Sequence, residues 1–404
     1  MKQYSVVSSA IKNMIGHLLT GFFTKPFLWS LKRNDDKKMK TVRLISCILA
    51  GFTVLITLVW ITDFVYAQKE MPDLRTYLEK NLRFSKREIG AINTDVVVKQ
   101  VYTAKKSREI AVAGIVRINI PEEFFVEQFR HIESFMQHDT LHQIGTFSKT
   151  PKPEDLVKFQ LPPSDIEELA KCNKIGKCKV KLPASAFDRL REIDWSEGNA
   201  TDRVTDLFRK GYVNYVRTYL ENGNSALIVY ADKKKPMSLA KGLDTLLAQA
   251  FYVYRYIPEL HRYLEEFPYS APPGVYDFLY WSVEDFGQRP TTTITQATIY
   301  ERKKEANPGV MIALKQIYAS HYFQARFQLM ALVKASTGPK EPSIYLVYID
   351  RLLFDENLNW VNSKLILKGV MSHVKSWFTS IRNSLQDKYR NKKEMADHPI
   401  SQRQ

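Results

Sequence analysis

The residues whose types and spacing could do chemistry gather in the last third of this sequence. Between Met311 and Val333 an apolar series running through Ala313, Ile317, Ala319, Phe323, Ala325 and Phe327 alternates with Gln316, Ser320, Gln324, Arg326 and Gln328, the period of a strand. His321 falls on the apolar side. An imidazole there is either a core histidine with a satisfied hydrogen bond, or a general base, a metal ligand or a polar fixing point in an apolar cavity. Glu284 and Asp285 follow Tyr280-Trp281, and Asp350-Arg351 follow Tyr348. Carboxylates so placed can do acid–base work, and an Asp beside an Arg can be held ionised to order a site. Ion pairs at strand ends account for the same residues. His321, Phe323, Trp281, Glu284, Tyr348 and Trp377 are the candidate ligand-binding residues, with Asp350 as a second carboxylate within reach of His321.

Other patterns exclude more than they offer. His138 and His142 flank Asp139, but that spacing pairs two ligands only on a helix, and the glutamate of HExxH is missing. Neither a metal nor a cofactor is expected. GxSxG, the P-loop, GxGxxG and CxxC are all absent, which leaves catalysis undecided and leaning towards none. Cys172 and Cys178 are the only cysteines after residue 67, with five residues between them. Outside the cytosol such a pair reads as a disulfide pinning a small loop, since zinc would need two further ligands.

The elements that must position these residues can be read in order. Short helices are expected at 71–82 and 85–92, the second capped by Ser85 with Glu88 three residues on. Glu109 to Ile120 alternates as a half-buried strand and runs into a helix opened by Pro121, with Phe125, Phe129, Ile132 and Phe135 on its apolar face. Leu141 to Phe147 is strand-like, 149–163 is a proline-rich connector, and about 187–267 is a helical stretch with Phe208, Tyr212, Tyr215 and Tyr219 at helical spacing. Segments 275–283, 291–300, 311–333 and 343–353 are β-rich, and 336–342 is a turn. Ser363 to Tyr389 then forms one long helix with Val370, Val374, Trp377, Ile381 and Leu385 along one side. This is an α+β pattern: an antiparallel sheet, a large helical insertion and a C-terminal helix across the sheet. His321 is expected within reach of the space between sheet and helix.

Leu44 to Ala67 decides the compartment. Its only charge is Asp63, and about 20 apolar residues suffice to cross a bilayer. Lys32, Arg33, Lys37, Lys38, Lys40 and Arg43 precede it, which places 1–43 in the cytosol and 68–390 outside, with 391–404 as a flexible tail. Val65-Tyr66-Ala67 also permits cleavage before Gln68. A start at Met39 would leave a secretory signal and remove the preceding segment. Residues 44–67 are thus a transmembrane signal anchor or a signal peptide. The first 67 residues hold nine Lys/Arg against three Asp/Glu, +6 of the formal +16, so the exported part carries +10. Outside the cytosol that charge meets anionic lipid, cell-wall polymer or lipopolysaccharide rather than nucleic acid. Protein partners are left open.

Strand, immediate helix, further strands and a long terminal helix resemble the START-like helix-grip fold over Glu109 to Phe135 and Val275 to Tyr389, with the helical stretch inserted between. Tyr280-Trp281-Ser282, Tyr318-Ala319-Ser320-His321-Tyr322-Phe323 and Tyr345-Leu346-Val347-Tyr348 are similar to strings in an uncharacterised family of exported bacterial proteins, which brings no activity with it. The resemblance implies a sheet wrapped around the C-terminal helix with an apolar cavity between them. The expected protein faces the periplasm from the inner membrane, or is released there, and binds a hydrophobic or lipid-like ligand in that space. The alternatives are an envelope hydrolase or transferase using His321 with Glu284 or Asp350, and a structural or interaction protein without a cavity.

Overall fold

Period-two alternation with few breakers gives the second half of the chain its sheet. The computed structural model describes residues 72–102, 108–250, 255–287, 289–303, 306–335, 342–358 and 360–397. The basic segment 1–43 with Met39, the apolar stretch 44–67 and residues 398–404 lie outside these. Among the described residues no helix is long and apolar enough to cross a membrane.

The chain opens with two short helices, α1 (Leu74–Lys80) and α2 (Lys86–Ala91). Ser85 and Glu88 close the capping box expected of them, side chain to backbone in both directions. Strands β1 (Val97–Tyr102) and β2 (Glu109–Ile118) follow, then helices α3 (Glu122–Arg130) and α4 (Ile132–Phe135), then β3 (Leu141–Thr146). Pro121 stands at the N-cap of α3, with Glu122 and Glu123 in the first turn, where carboxylates favour the helix dipole. A helical region comes next: α5 (Pro163–Leu169), α6 (Ala184–Arg191), α7 (Ala200–Asn222), the two-residue strands β4 (Val229–Tyr230) and β5 (Met237–Ser238), α8 (Leu239–Ala248) and α9 (Pro258–Glu266). Five long strands complete the sheet: β6 (Val275–Asp285), β7 (Pro290–Glu301), β8 (Val310–Ala319), β9 (Phe323–Lys334) and β10 (Ile344–Phe354). Helix α10 (Trp360–Asp397) ends the described chain.

Eight strands make one antiparallel sheet in the order β1-β2-β10-β9-β8-β7-β6-β3. It is α+β with a helical layer on each face. Helices α3, α4 and α10 share a core with one face, where Val112, Val116, Ile312, Met330 and Leu346 meet Val374, Phe378, Ile381 and Leu385. The other face packs against α1 and the helical region, with Ala313, Ile317, Phe327 and Leu329 meeting Leu243, Leu246, Val216 and Tyr219. All ten residues of β8 are buried as a result. The tyrosines of α7 lie in this second core, and two reach strands: the Tyr215 hydroxyl donates to the Ile317 carbonyl at 2.6 Å and that of Tyr219 to Gln296 Oε1 at 2.5 Å. Gly114 lets α10 approach β2, for a Cβ there would lie 3.0 Å from the Phe378 ring.

Two expectations are corrected. Residues 311–333 are a hairpin, not one strand, turning at Ser320-His321-Tyr322 with Tyr322 at φ 60°. No Gly, Pro or Asn marks that turn, so the pattern runs through it unbroken. Helix α10 continues to Asp397 where a tail was expected from 391, because Asn391 to Asp397 contains no breaker before Pro399. A 3-10 turn at Pro153–Leu156 and the short helix α5 precede the helical stretch. Cys172 and Cys178 are disulfide-bonded, with Cα atoms 5.0 Å apart, in the loop after α5.

Candidate functional site

The face of the sheet under α10 is apolar except for a belt that crosses five strands. Ser282 and Glu284 on β6, Thr293 and Thr295 on β7, Gln316 on β8, Arg326 and Gln328 on β9, and Tyr348 and Asp350 on β10 stand beside one another through the strand register. Most of these side chains, with Tyr280 and Leu314, line a chamber closed by Met136 and His138 from the α4–β3 connection and by His373, Val374 and Trp377 of α10. The enclosed space is about 30 Å³, the size of a single small group.

Two fixed arrangements flank the chamber. At one end Arg326 holds Asp350 through two parallel bonds, Nε–Oδ1 at 3.1 Å and Nη2–Oδ2 at 2.7 Å, and the Tyr348 hydroxyl donates to Asp350 Oδ2 at 3.1 Å. Gln328 Nε2 donates to that hydroxyl in turn. Burial opposes the Arg326 charge, but Asp350 beside it outweighs this and holds the guanidinium more firmly protonated than usual. Burial first, then the Asp350 charge, push the Tyr348 phenol well up, so it stays a donor.

At the other end Glu284 accepts from Ser282 Oγ at 2.5 Å, and Ser282 is bonded to Thr293 at 2.9 Å. His138 presents Nε2 at 3.8 Å from Glu284 Oε2, with Nδ1 3.0 Å from Thr140 Oγ1, and stacks edge-on against His373 at 5.1 Å. Burial holds both imidazoles below their ordinary value of 6.5, and for His373 the neighbouring His138 adds to it. They are therefore neutral at pH 7. By formal charge, Glu284 and Asp350 against Arg326 leave the polar belt with one net negative charge. His138 Nε2, Gln316 Oε1 and Trp377 Nε1 are buried without a hydrogen-bond partner. An unmet buried polar atom costs about 1–3 kcal/mol, and three around one space are an arrangement that a polar guest would relieve.

The structure gathers Glu284, Tyr348 and Trp377 here and sends the other candidates elsewhere. His321 lies in the β8–β9 turn, where Nε2 meets Asp165 Oδ1 of α5 at 2.7 Å and Nδ1 meets the Lys179 carbonyl at 3.1 Å. It lies outside the lining of the space under α10 and pairs with neither Glu284 nor Asp350. The reason is the hairpin: the turn places the ring against α5 and the cysteine loop. At 5% and 0% side-chain exposure, His321 and Asp165 form a closed pair. Trp281 faces the opposite side, its Nε1 donating to the Asp155 carbonyl at 3.1 Å and its ring 5.5 Å from Phe159. Phe323 shares the α10-side core but packs between Phe286 and Phe354, away from the chamber. His142 turns outward to Asp285 at 2.8 Å, so it does not join His138. Among the described residues no group of three potential ligands could hold a metal ion.

Sequence reasoning missed His138 as a lining residue, His373, and the Arg326–Asp350 pair. A signal existed, since Thr293, Thr295, Gln316 and Gln328 recur at period two where a solvent-facing strand side would carry Lys or Glu. Compared with known proteins, the chain matches no family model and no curated protein.

Proposed function

We propose that this is an exported protein of the bacterial envelope, tethered by residues 44–67 or released after them, that binds a small amine-bearing ligand between its sheet and α10. One observation carries the reading: a chamber with net negative formal charge, walled by Tyr280, Tyr348 and Trp377, in which the Gln316 Oε1 acceptor and the His138 Nε2 nitrogen are buried without partners. A protonated amine donates to Glu284 and Gln316 and sits favourably against aromatic faces. The ammonium group fills the space, and its substituent leaves beneath the first turns of α10, where no side chain from Val361 to His373 is fully buried. The disulfide suits an oxidising compartment.

A sheet of eight antiparallel strands with a terminal helix across it supports the helix-grip reading of the fold. The polar lining favours a small polar ligand over a lipid-like one at this place, and the closed setting of His321 gives no support to a hydrolase built on it. Calorimetric titration of ethanolamine into the full-length protein tests the proposal. Saturable binding is expected, lost in Glu284→Gln. No heat in the millimolar range, or equal affinity in the variant, would leave the chamber as structural packing.

A further inference from the structure

Two short lysine runs lie far apart in the sequence, one around the cysteine pair at 171–179 and one, Lys233-Lys234-Lys235, between β4 and β5. The fold brings them together. Gly176 N donates to the Ala231 carbonyl at 2.8 Å and Cys178 N to the Asp232 carbonyl at 3.0 Å, with Lys177 opposite Lys233. At φ 81°, and with the Lys234 Cα 3.2 Å from where a Cβ would stand, Gly176 is what lets the two turns close on each other. The disulfide ties the same loop at its base. Both turns are fixed before any partner arrives, so binding there costs little ordering.

The acidic groups nearby are already engaged. Glu168 pairs with Lys179 at 3.1 Å and Arg289 at 3.3 Å, Asp355 with the buried Lys181 at 2.5 Å, and Glu356 with Lys233 at 2.6 Å. Lys171, Lys174, Lys177, Lys234 and Lys235 are exposed and form no ion pair among the described residues. Five like charges on two stitched turns repel one another, and an anionic partner offsets that repulsion. Two features say which kind. All five are lysine, a hydrated point charge without the fork by which arginine grips one phosphate or carboxylate, and this suits a diffuse charged surface. Ile175, in the loop between Lys174 and Lys177, is 48% exposed. An apolar side chain flanked by ammonium groups matches a lipid interface, where it enters the headgroup–acyl boundary while the cations meet phosphates. A soluble acidic polymer gives the isoleucine nothing to bury against.

We infer that the disulfide loop and the β4–β5 turn together dock on the anionic surface of a phospholipid bilayer, with Ile175 inserted. The docking surface is independent of the amine chamber.

The test mixes full-length protein with phosphatidylcholine vesicles, or with vesicles of phosphatidylcholine and phosphatidylglycerol in equal parts, and follows lysine acylation residue by residue by mass spectrometry. Because each lysine reports for itself, attachment of the chain elsewhere does not register as docking here. Lys171, Lys177 and Lys235 are expected to be protected with phosphatidylglycerol and not without it, while exposed Lys388 of α10 stays reactive in both. Lys174→Gln with Lys234→Gln should lower the protection of the remaining lysines about thirtyfold, at about fivefold per charge. Ile175→Ser should lower it about tenfold. These positions are exposed, so thermal melts of the variants should match the parent. Absent protection, or equal protection by phosphatidylcholine alone, overturns the inference. Equal protection by soluble polyphosphate, together with no effect of Ile175→Ser on the vesicles, assigns the patch to a soluble polyanion and also overturns it.

Discussion

At the scale of single residues, the buried charges sort by whether they are fully partnered. His321 Nε2 meets Asp165 Oδ1 in a dry setting where Asp165 Oδ2 has no hydrogen-bond partner, so removing the ring strands the whole carboxyl group. His321→Ala is expected to lose about 3–5 kcal/mol in denaturant unfolding, the usual cost of breaking a buried pair from one side. Asp165→Asn should lose less, because it leaves no unpaired charge. A change below 1 kcal/mol in His321→Ala would mean that the pair is open to water. Lys315 makes the opposite case. It is fully buried on β8, donates to Asn224 Oδ1 at 2.9 Å and lies 5.0 Å from the Phe267 ring. Burial pulls its ammonium down to about 7, against the pull of Asp277. Between pH 7 and the ordinary 10.5 the unfolded chain binds a proton that the folded one does not. Stability from this residue therefore rises with pH through that window, by at most about 1.4 kcal/mol per unit. Lys315→Met should flatten the rise, as measured by urea unfolding at pH 7, 8 and 9.

Helix α10 is held unevenly, and the unevenness bears on access to the chamber. Val374, Trp377, Phe378, Ile381 and Leu385 are buried, whereas Val361 and Leu365 are 55% and 64% exposed. Trp377→Ala is expected to cost about 3–5 kcal/mol, as for a large core aromatic. Amide exchange should be markedly faster in 361–372 than in 374–385. Uniform protection would contradict the view that the first turns open. This helix and the strands from 275 to 354 were legible because each has one clean period over ten or more residues. The turn at 320–322 was not, since Ser-His-Tyr carries no turn chemistry and the alternation passes through it. Of the candidate site, Glu284, Tyr348 and Trp377 could be picked out by type. His138 and His373 could not be joined to them, because they are 235 positions apart in the chain and only the packing of α10 over the α4–β3 connection brings them together.

For the whole molecule, a sheet covered on both faces leaves polar side chains inside, and their titration sets its response to acid. Burial holds His138 and His373 below 6.5, so below that pH the unfolded chain takes up protons that the folded chain refuses. Stability is full above 6.5 and falls as the pH drops towards the folded values, by up to about 1.4 kcal/mol per unit for each ring. Burial raises the carboxyls of Glu122, Asp232 and Asp244, which bind protons more readily in the folded chain and so oppose this loss, whereas hydrogen bonds hold those of Glu168 and Glu266 below the ordinary range. Thermal melts at pH 7.5 and 5.5 should differ clearly in the parent and much less in a His138→Gln, His373→Gln double variant. An equal drop in both would place the acid sensitivity elsewhere.

The chamber as a binding site is the centre of this account, and its guest must touch α10. Hydrogen exchange of the full-length protein with and without saturating ethanolamine reads that contact directly. Slower exchange in 366–377 is expected for the parent and not for Glu284→Gln; unchanged exchange in the parent, or equal slowing in both, would contradict it.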